Sequence, residues 1–226
     1  MQYDLVRSKR KGIVIQIKNG KIIVRAPLKE TISRIESFLE RHSNWISRKL
    51  SDGAKRVEMY ADVLSGDRFM FLGKDLTVEC IATSRFSIRD GVLNIPAKYF
   101  DNGDLKKSEE LYDALKRLYK REANKYLESR ISEMSREIGL SYNRFDLTSG
   151  KTKWGSCDGK NCVRLNWHLI MLDESIVNYV IIHELAHTVE HNHSSRFWDI
   201  VAKYYPDYKE AKACLKNASV IIGLWC

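Results

Sequence analysis

The sequence lacks several features that would place it in a specialised class of protein. Its five cysteines, among 226 residues, are odd in number and lack the paired spacing of zinc fingers or disulfide scaffolds. No apolar run is long enough to span a membrane, and residues 1–5 do not begin a signal peptide. These absences favour a globular protein in the reducing cytoplasm, with no membrane partner.

The excess positive charge of the chain is confined to its first quarter. The formal net charge is +9, and residues 1–56 contain 14 Lys or Arg against 5 Asp or Glu, whereas residues 57–226 contain 24 of each. The basic residues are densest in the cluster Arg7–Lys11. Such a cluster can bind phosphate groups or nucleic acid, or it can be a solvated surface. Both interpretations stay open, since no RNA- or DNA-binding signature accompanies the cluster.

Hydrophobic patterning predicts an α+β fold whose N-terminal domain, residues 1–100, is β-rich with one main helix. Apolar and polar residues alternate over 12–26 on both sides of Asn19-Gly20, which indicates a β-hairpin with its turn there. Apolar spacing predicts the main helix over 31–50. A looser segment over 51–66 and several short strands follow.

The second predicted domain, residues 101–226, is mainly helical. Apolar residues recur every three or four positions over 108–138, which predicts a long amphipathic helix. Two strands are expected at Arg144–Thr148 and Cys162–Asn166. The second of these is our candidate for an edge strand that binds extended substrate by backbone pairing, with a plain core hairpin as the alternative.

The most informative motif is an H-E-x-x-H sequence that runs from His183 to His187. The apolar run 176–182 before it indicates a buried helix. Two histidines four residues apart on a helix face the same way, so their ring nitrogens can converge on one metal ion. Glu184 lies to one side, where its carboxylate can act as general base toward a water. The arrangement is typical of zinc hydrolases and predicts Zn²⁺ as the cofactor.

A catalytic zinc site needs a third protein ligand, which we predict to be His193. His191 lies about 12 Å from His183 along a continued helix, too far to complete a tetrahedral site. His193 can reach the metal if the helix stops and the chain turns back. Asn192 favours such a stop, because asparagine tolerates the left-handed backbone of a helix end. Glu210 is the competing third ligand.

Several segments of the chain together match a known family. They are Arg7-Ser8-x-Arg10, Trp45-Ile46, Leu72-Gly73-Lys74, Trp154-Gly155-Ser156-Cys157, Arg164-Leu165-Asn166-Trp167, Tyr179-Val180-x-x-His183-Glu184-Leu185-Ala186-His187 and Asn192-His193-Ser194-x-x-Phe197-Trp198. With these segments the chain resembles the YgjP-like metal-dependent hydrolases, relatives of the WLM and SprT-like zinc metallopeptidases. The resemblance implies that His183, His187 and His193 bind zinc and that Glu184 is the catalytic base. It also implies that residues 101–226 form a helical, zincin-like catalytic part with the H-E-x-x-H helix at its active site.

Three functions are compatible with these features. The first is a zinc-dependent peptidase that acts on peptides or proteins, which the resemblance favours. The second is a zinc hydrolase of a phosphorylated small molecule, such as a nucleoside-triphosphate pyrophosphatase, with the basic cluster as a phosphate clamp. The third is a nucleic-acid-associated protein that docks through its basic N-terminal quarter.

Two roles in the predicted site stay open among several residues. A second electrophile would stabilise the charge that develops on the attacked oxygen, and Arg164, His168 and Trp154 are candidates because they lie near the motif in sequence. Cys157 is the residue that can act as a fourth metal ligand, which would leave no coordination position for water or substrate.

Overall fold

The computed structural model of the chain describes residues 1–18 and 20–225. Its combination of helices with several small sheets confirms the predicted α+β class. The chain folds into two compact units, Met1–Met59 and Tyr60–Cys226. The boundary predicted at residues 100/101 therefore lies inside the second unit.

The strands that precede residue 100 belong to the second unit because their apolar side chains share its core. Leu93 and Ile95 are fully buried in the same cluster as Leu118 and Tyr119, which lie on the long helix of that unit. The predicted boundary therefore falls between elements that share one core.

The first unit is a small sheet with two helices. Its elements are β1 (Asp4–Ser8), β2 (Val14–Lys18), β3 (Lys21–Pro27), α1 (Ile32–Arg41) and α2 (Ser43–Met59). The central strand β3 is parallel to β1 and antiparallel to β2, so the predicted hairpin is confirmed. Asn19 of its predicted turn lies outside the described residues. The core consists of Ile22, Val24, Ala26, Ile35, Leu39 and Ile46.

The helical part of the chain before residue 66 differs from the prediction. The single helix predicted over 31–50 is two helices, α1 and α2, that meet at His42, and α2 continues to Met59. A short helix, α3 (Ala61–Ser65), then begins the second unit. The prediction of a loose segment over 51–66 is therefore wrong. Apolar periodicity gave no signal there because none of the described residues 51–59 is buried.

The second unit contains two three-stranded sheets and two short ladders. The strands are β4 (Met70–Phe71), β5 (Lys74–Asp75), β6 (Thr77–Ile81), β7 (Ser87–Arg89), β8 (Val92–Pro96), β9 (Phe100–Asp101), β10 (Asp104–Leu105), β11 (Arg144–Thr148), β12 (Gly155–Cys157) and β13 (Cys162–Asn166). The strand orders are β6-β8-β7 and β11-β13-β12. The central strands β8 and β13 are parallel to β6 and β11, respectively, and antiparallel to β7 and β12. The two strands predicted in the catalytic part are confirmed.

Four longer helices complete the second unit: α4 (Glu109–Ile138), α5 (Glu174–Ala186), α6 (Ser195–Tyr204) and α7 (Tyr208–Asn217). The predicted long helix is confirmed as α4, with the Ser108 hydroxyl as its N-cap and Gly139 in the left-handed conformation after its end. The buried face of α4 packs on the 3₁₀ segment Trp167–Met171 and on α5. Among the described residues, no helix is both long enough and apolar enough to cross a membrane.

Candidate metal centre

Helix α5 carries the H-E-x-x-H motif into the core of the second unit. Its apolar residues are buried on every side of the helix, which is typical of a helix that lies inside a core; they are Ile176, Val177, Tyr179, Val180, Ile181, Ile182, Leu185 and Ala186. His183 and Glu184 lie in its last turn, and His187 directly follows Ala186, where the helix ends. The packed helix thus fixes the backbone of all three polar residues.

The chain turns back directly after α5 and so returns His193 to the motif. The Glu190 N–H donates to the Ala186 carbonyl at 3.0 Å. The Asn192 side chain accepts a hydrogen bond from the Ser194 N–H at 2.9 Å, and the Ser194 hydroxyl caps α6. These local hydrogen bonds determine where the His193 ring lies.

The three predicted histidine ligands lie together. One ring nitrogen from each of His183, His187 and His193 falls within 4.8 Å of the other two. The Nε2 atoms of His183 and His193 are 3.1 Å apart. Tetrahedral zinc with Zn–N bonds of 2.0–2.1 Å holds its nitrogen ligands about 3.3 Å apart. The donor set and its spacing therefore fit a zinc ion with one position left for water or substrate.

The competing ligands do not belong to this cluster. Within the described residues, the only group of three or more potential donors close enough to hold a metal is that of the three histidines. His191 is exposed and lies beyond the end of α5, outside the cluster. Glu210 lies in the first turn of α7, and Cys157 is half-buried at the end of β12. Neither takes a place beside the three ring nitrogens.

Protonation and orientation of the imidazoles also suit metal binding. Burial, helped by the neighbouring histidines, lowers the pKa of His183 to about 3, and burial lowers the pKa of His187 as well. Both rings are therefore neutral, which is the form that binds a metal. The Nδ1 of His187 lies 3.0 Å from the Glu190 carbonyl. An Nδ1–H that donates to this carbonyl leaves Nε2 free for the ion.

Glu184 is almost fully buried, with 5% of its surface exposed. Burial raises the pKa of its carboxyl group to about 8, partly offset by Lys153. The side chain lies against the backbone of β12, where a Cβ atom at Gly155 would come within 2.6 Å of Glu184 Oε1. Real Cβ atoms do not approach so closely, so the present position of Glu184 requires glycine at residue 155.

The strand beside Glu184 is β12, so the candidate edge strand Cys162–Asn166 is wrong and the alternative, a core hairpin, is the arrangement observed. Cys162–Asn166 is the central strand β13, and β12 lies at the edge of the sheet. Apolar patterning did not identify β12 as a strand, because it has only three residues. The Asn166 N–H donates to the Trp154 carbonyl at 2.8 Å. In an antiparallel ladder this register directs the N–H and C=O groups of Gly155 and Cys157 away from β13.

The three candidates for a second electrophile have other partners. Arg164 lies 3.2 Å from the Asp158 carboxylate, and it alternates along β13 with Val163 and Leu165, which face the core. His168 is buried and hydrogen-bonded to the Leu224 carbonyl at 3.0 Å. The Trp154 indole N–H donates to the Leu215 carbonyl at 3.3 Å. Each has a structural role in the fold.

Sequence reasoning missed Lys153, Tyr179 and Lys212 as neighbours of the centre. The Tyr179 ring lies 5.9 Å from that of His183, one helical turn earlier, and this spacing is the signal that identifies it. Lys153 interacts with the Glu184 carboxyl group and Lys212 with His183. Both lysines come from separate segments, so nothing local in the sequence indicates their position.

A comparison with known protein families agrees with these features. The model of a family described as YgjP-like, metallopeptidase domain, matches residues 11–218. Among solved structures, the metallopeptidase zymogen of Pyrococcus abyssi abylysin is 25% identical, with a TM-score of 0.37, and the match covers 39% of this chain and 90% of that one. The metallopeptidase zymogen of Methanocaldococcus jannaschii jannalysin is 23% identical, with a TM-score of 0.35 and coverage of 40% and 95%. No curated protein matches the chain.

Proposed function

The chain belongs to the YgjP-like metallopeptidase-domain family, and from this premise we propose that it is a zinc-dependent peptidase with His183, His187 and His193 as the metal ligands. The observation that carries the proposal is the convergence of the three ring nitrogens within 4.8 Å. A closed structural site usually has four protein ligands and favours cysteine, whereas three imidazoles leave a position for chemistry.

In the proposed reaction Glu184 moves the proton. A bound Zn²⁺ would polarise the scissile carbonyl and acidify a water molecule. Glu184 accepts a proton from this water as its oxygen attacks the carbonyl carbon. It then returns a proton to the leaving nitrogen as the C–N bond breaks. The position of Glu184, directly after His183 in the last turn of α5 and buried beside β12, supports the role.

The edge of β12 is the proposed binding site for the substrate backbone. The backbone N–H and C=O groups of Gly155 and Cys157 point away from β13, toward the free edge of the sheet. The side-chain positions of these two residues are on the face of β12 that closely approaches Glu184 at Gly155. An extended peptide that pairs with this edge would pass beside the base. Extended peptide or protein substrates, rather than compact small molecules, suit such a row of backbone groups.

The two other functions stay predictions without a specific observation in their favour. Both functions depend on the basic cluster Arg7–Lys11, but one member of this cluster makes hydrogen bonds within the protein itself. The Arg7 guanidinium donates hydrogen bonds to the backbone carbonyls of Pro27, Leu28 and Glu30, at 3.1, 3.2 and 2.8 Å. At least this one charge of the cluster has a structural role.

Metal removal tests the proposed function directly. We expect the full chain to cleave peptides of an unfolded test protein, to lose at least about 99% of this activity after chelation, and to regain it with about one equivalent of Zn²⁺, because the metal provides the Lewis acid. New peptide amino termini, measured by mass spectrometry, report the reaction. Release of phosphate or pyrophosphate from nucleoside triphosphates, with the peptides left intact, would contradict a peptidase and favour the phosphohydrolase.

A further inference from the structure

The second unit has an open cleft of about 1000 Å³ that the proposed reaction does not use. The segment from Ile81 to Tyr99 and the first part of α4 line it. Its charged residues are predominantly basic: Arg85, Arg89, Lys98, Arg117 and Arg121 against Glu110 alone. Five cations and one anion on one concave surface give a strong local positive potential.

The cations of the cleft outnumber the carboxylates that interact with them. Lys98 lies 2.6 Å from the Glu110 carboxylate, and Arg121 pairs with Glu122. The side chains of Arg85 and Arg89 have no ion pair or hydrogen bond with another described residue, and Arg117 interacts with Glu110 only through its charge. All three arginines are exposed. Like charges around one cavity repel each other. An anion in the cleft would relieve this repulsion, so the charge arrangement indicates an anionic ligand.

We propose that the cleft binds a compact ligand that carries two or more phosphoryl groups. A phosphate monoester has about 1.5 to 2 negative charges and three acceptor oxygens, so two phosphoryl groups balance the excess of cations in the cleft, whereas one carboxylate does not. An arginine guanidinium group can donate two parallel hydrogen bonds to the oxygens of one phosphate. Thr83, Ser84 and Ser87 add hydroxyl donors to the lining.

The ligand is compact because the positive surface ends at the cleft. Residues 57–226 contain equal numbers of basic and acidic side chains, 24 of each. Asp90 directly follows Arg89 in sequence and Glu122 follows Arg121, so acidic groups flank the basic ones. A long polyanion such as nucleic acid requires a basic surface along its whole contact length. A local basic cleft in a neutral unit suits a small molecule.

The cleft is separate from the candidate metal centre. The Arg130 guanidinium donates to the Asn178 side chain at 2.8 Å, and Tyr126, one turn earlier, interacts with Glu174. Helices α4 and α5 therefore run in the same direction. The part of α4 that lines the cleft ends nine residues before Arg130, whereas the metal ligands lie beyond Asn178. The two sites are about 20 Å apart along the helix axes, so the inference does not depend on the proposed function.

Calorimetric titration of the full chain with inorganic pyrophosphate and with ADP tests the cleft. We expect Arg85→Ala/Arg117→Ala to weaken pyrophosphate binding about a hundredfold, because each variant position removes charge-assisted hydrogen bonds. Arg85→Lys/Arg117→Lys keeps the charge and should lose less. Lys9→Ala/Lys11→Ala removes the same number of charges from the basic cluster of the first unit and should change affinity less than about twofold. Melting temperatures near that of the wild type verify folding, since all substituted residues are exposed or outside the core.

The titration is repeated after metal removal, because phosphate can also bind a metal ion. Equal affinity with and without metal is the expected result. ADP that binds like pyrophosphate would show that the phosphoryl groups alone are recognised, and tighter ADP binding would add a base subsite to the same proposal. Absence of pyrophosphate binding at millimolar concentration would overturn the proposal. So would equal weakening in the Lys9/Lys11 control, loss of binding with the metal, or tighter binding of an acidic peptide or duplex oligonucleotide.

Discussion

Glu184→Gln is expected to lower the rate of peptide hydrolysis about a thousandfold while the metal content stays unchanged. The amide has the shape of the carboxylate but cannot accept the proton of the attacking water, and general bases contribute about 10²- to 10⁴-fold to rates. Glu184 is not one of the three clustered donors, so metal affinity should persist. The thermal stability should equal or exceed that of the wild type, since the substitution removes a buried ionisable group whose burial raises its pKa. Peptidase rate, metal content and melting temperature are the three readouts.

Glu174→Gln is the matched control for this variant. It makes the same chemical change on the same helix, at an exposed position in the first turn. We expect its activity to stay within about twofold of the wild type. If Glu184→Gln retained activity within tenfold of the wild type, another group would be the base.

Gly155→Ala is expected to lower the turnover number about a hundredfold without loss of metal. The added Cβ would come within 2.6 Å of Glu184 Oε1 and 2.8 Å of its Cγ, so the base must leave its present position. A displacement of about 1 Å in a catalytic group can cost about 10² in rate. Steady-state kinetics on a peptide substrate, with metal analysis of the same sample, measures the effect.

Two further variants identify the cause of the effect at Gly155. Gly159→Ala adds the same methyl group in the adjoining turn, where nothing lies within 4 Å of it, and should leave activity within about twofold. If the clash with Glu184 is the cause, Gly155→Ala should destabilise the wild-type protein more than it destabilises the Glu184→Ala variant. Equal destabilisation in both backgrounds would mean that the strand itself, and not the base, is disturbed.

Much of the site could be predicted because its chemistry is local in sequence. His183, Glu184 and His187 share one helix, so their spacing alone specifies which side chains face together. His193 required one further step, a chain reversal within a few residues. The expected left-handed helix end at Asn192 is wrong, because the helix ends at Ala186 and Asn192 instead acts through its side chain, which accepts from the Ser194 N–H. The α+β class followed from periodicity in long segments such as α4.

The features that sequence could not predict depend on contacts between distant segments. The role of Gly155 as a neighbour of Glu184 arises only when β12 packs on α5, about thirty residues later in the chain. The unit boundary at Met59 rather than near residue 100 likewise depends on which core the side chains of β8 enter. The second half of α2 lies at the surface, so its sequence lacks the regularly spaced apolar residues from which a helix is predicted.

Elemental analysis of purified wild-type protein beside His193→Ala and His191→Ala tests the central claim most directly. The three-histidine centre predicts about one zinc per chain in the wild type and in His191→Ala, since the exposed His191 lies outside the cluster. It predicts loss of most zinc from His193→Ala, since two imidazoles rarely hold the ion alone. Full zinc content in His193→Ala would show that another residue, Glu210 or Cys157, completes the site. Absence of zinc from all three proteins after reconstitution would contradict the metal centre itself.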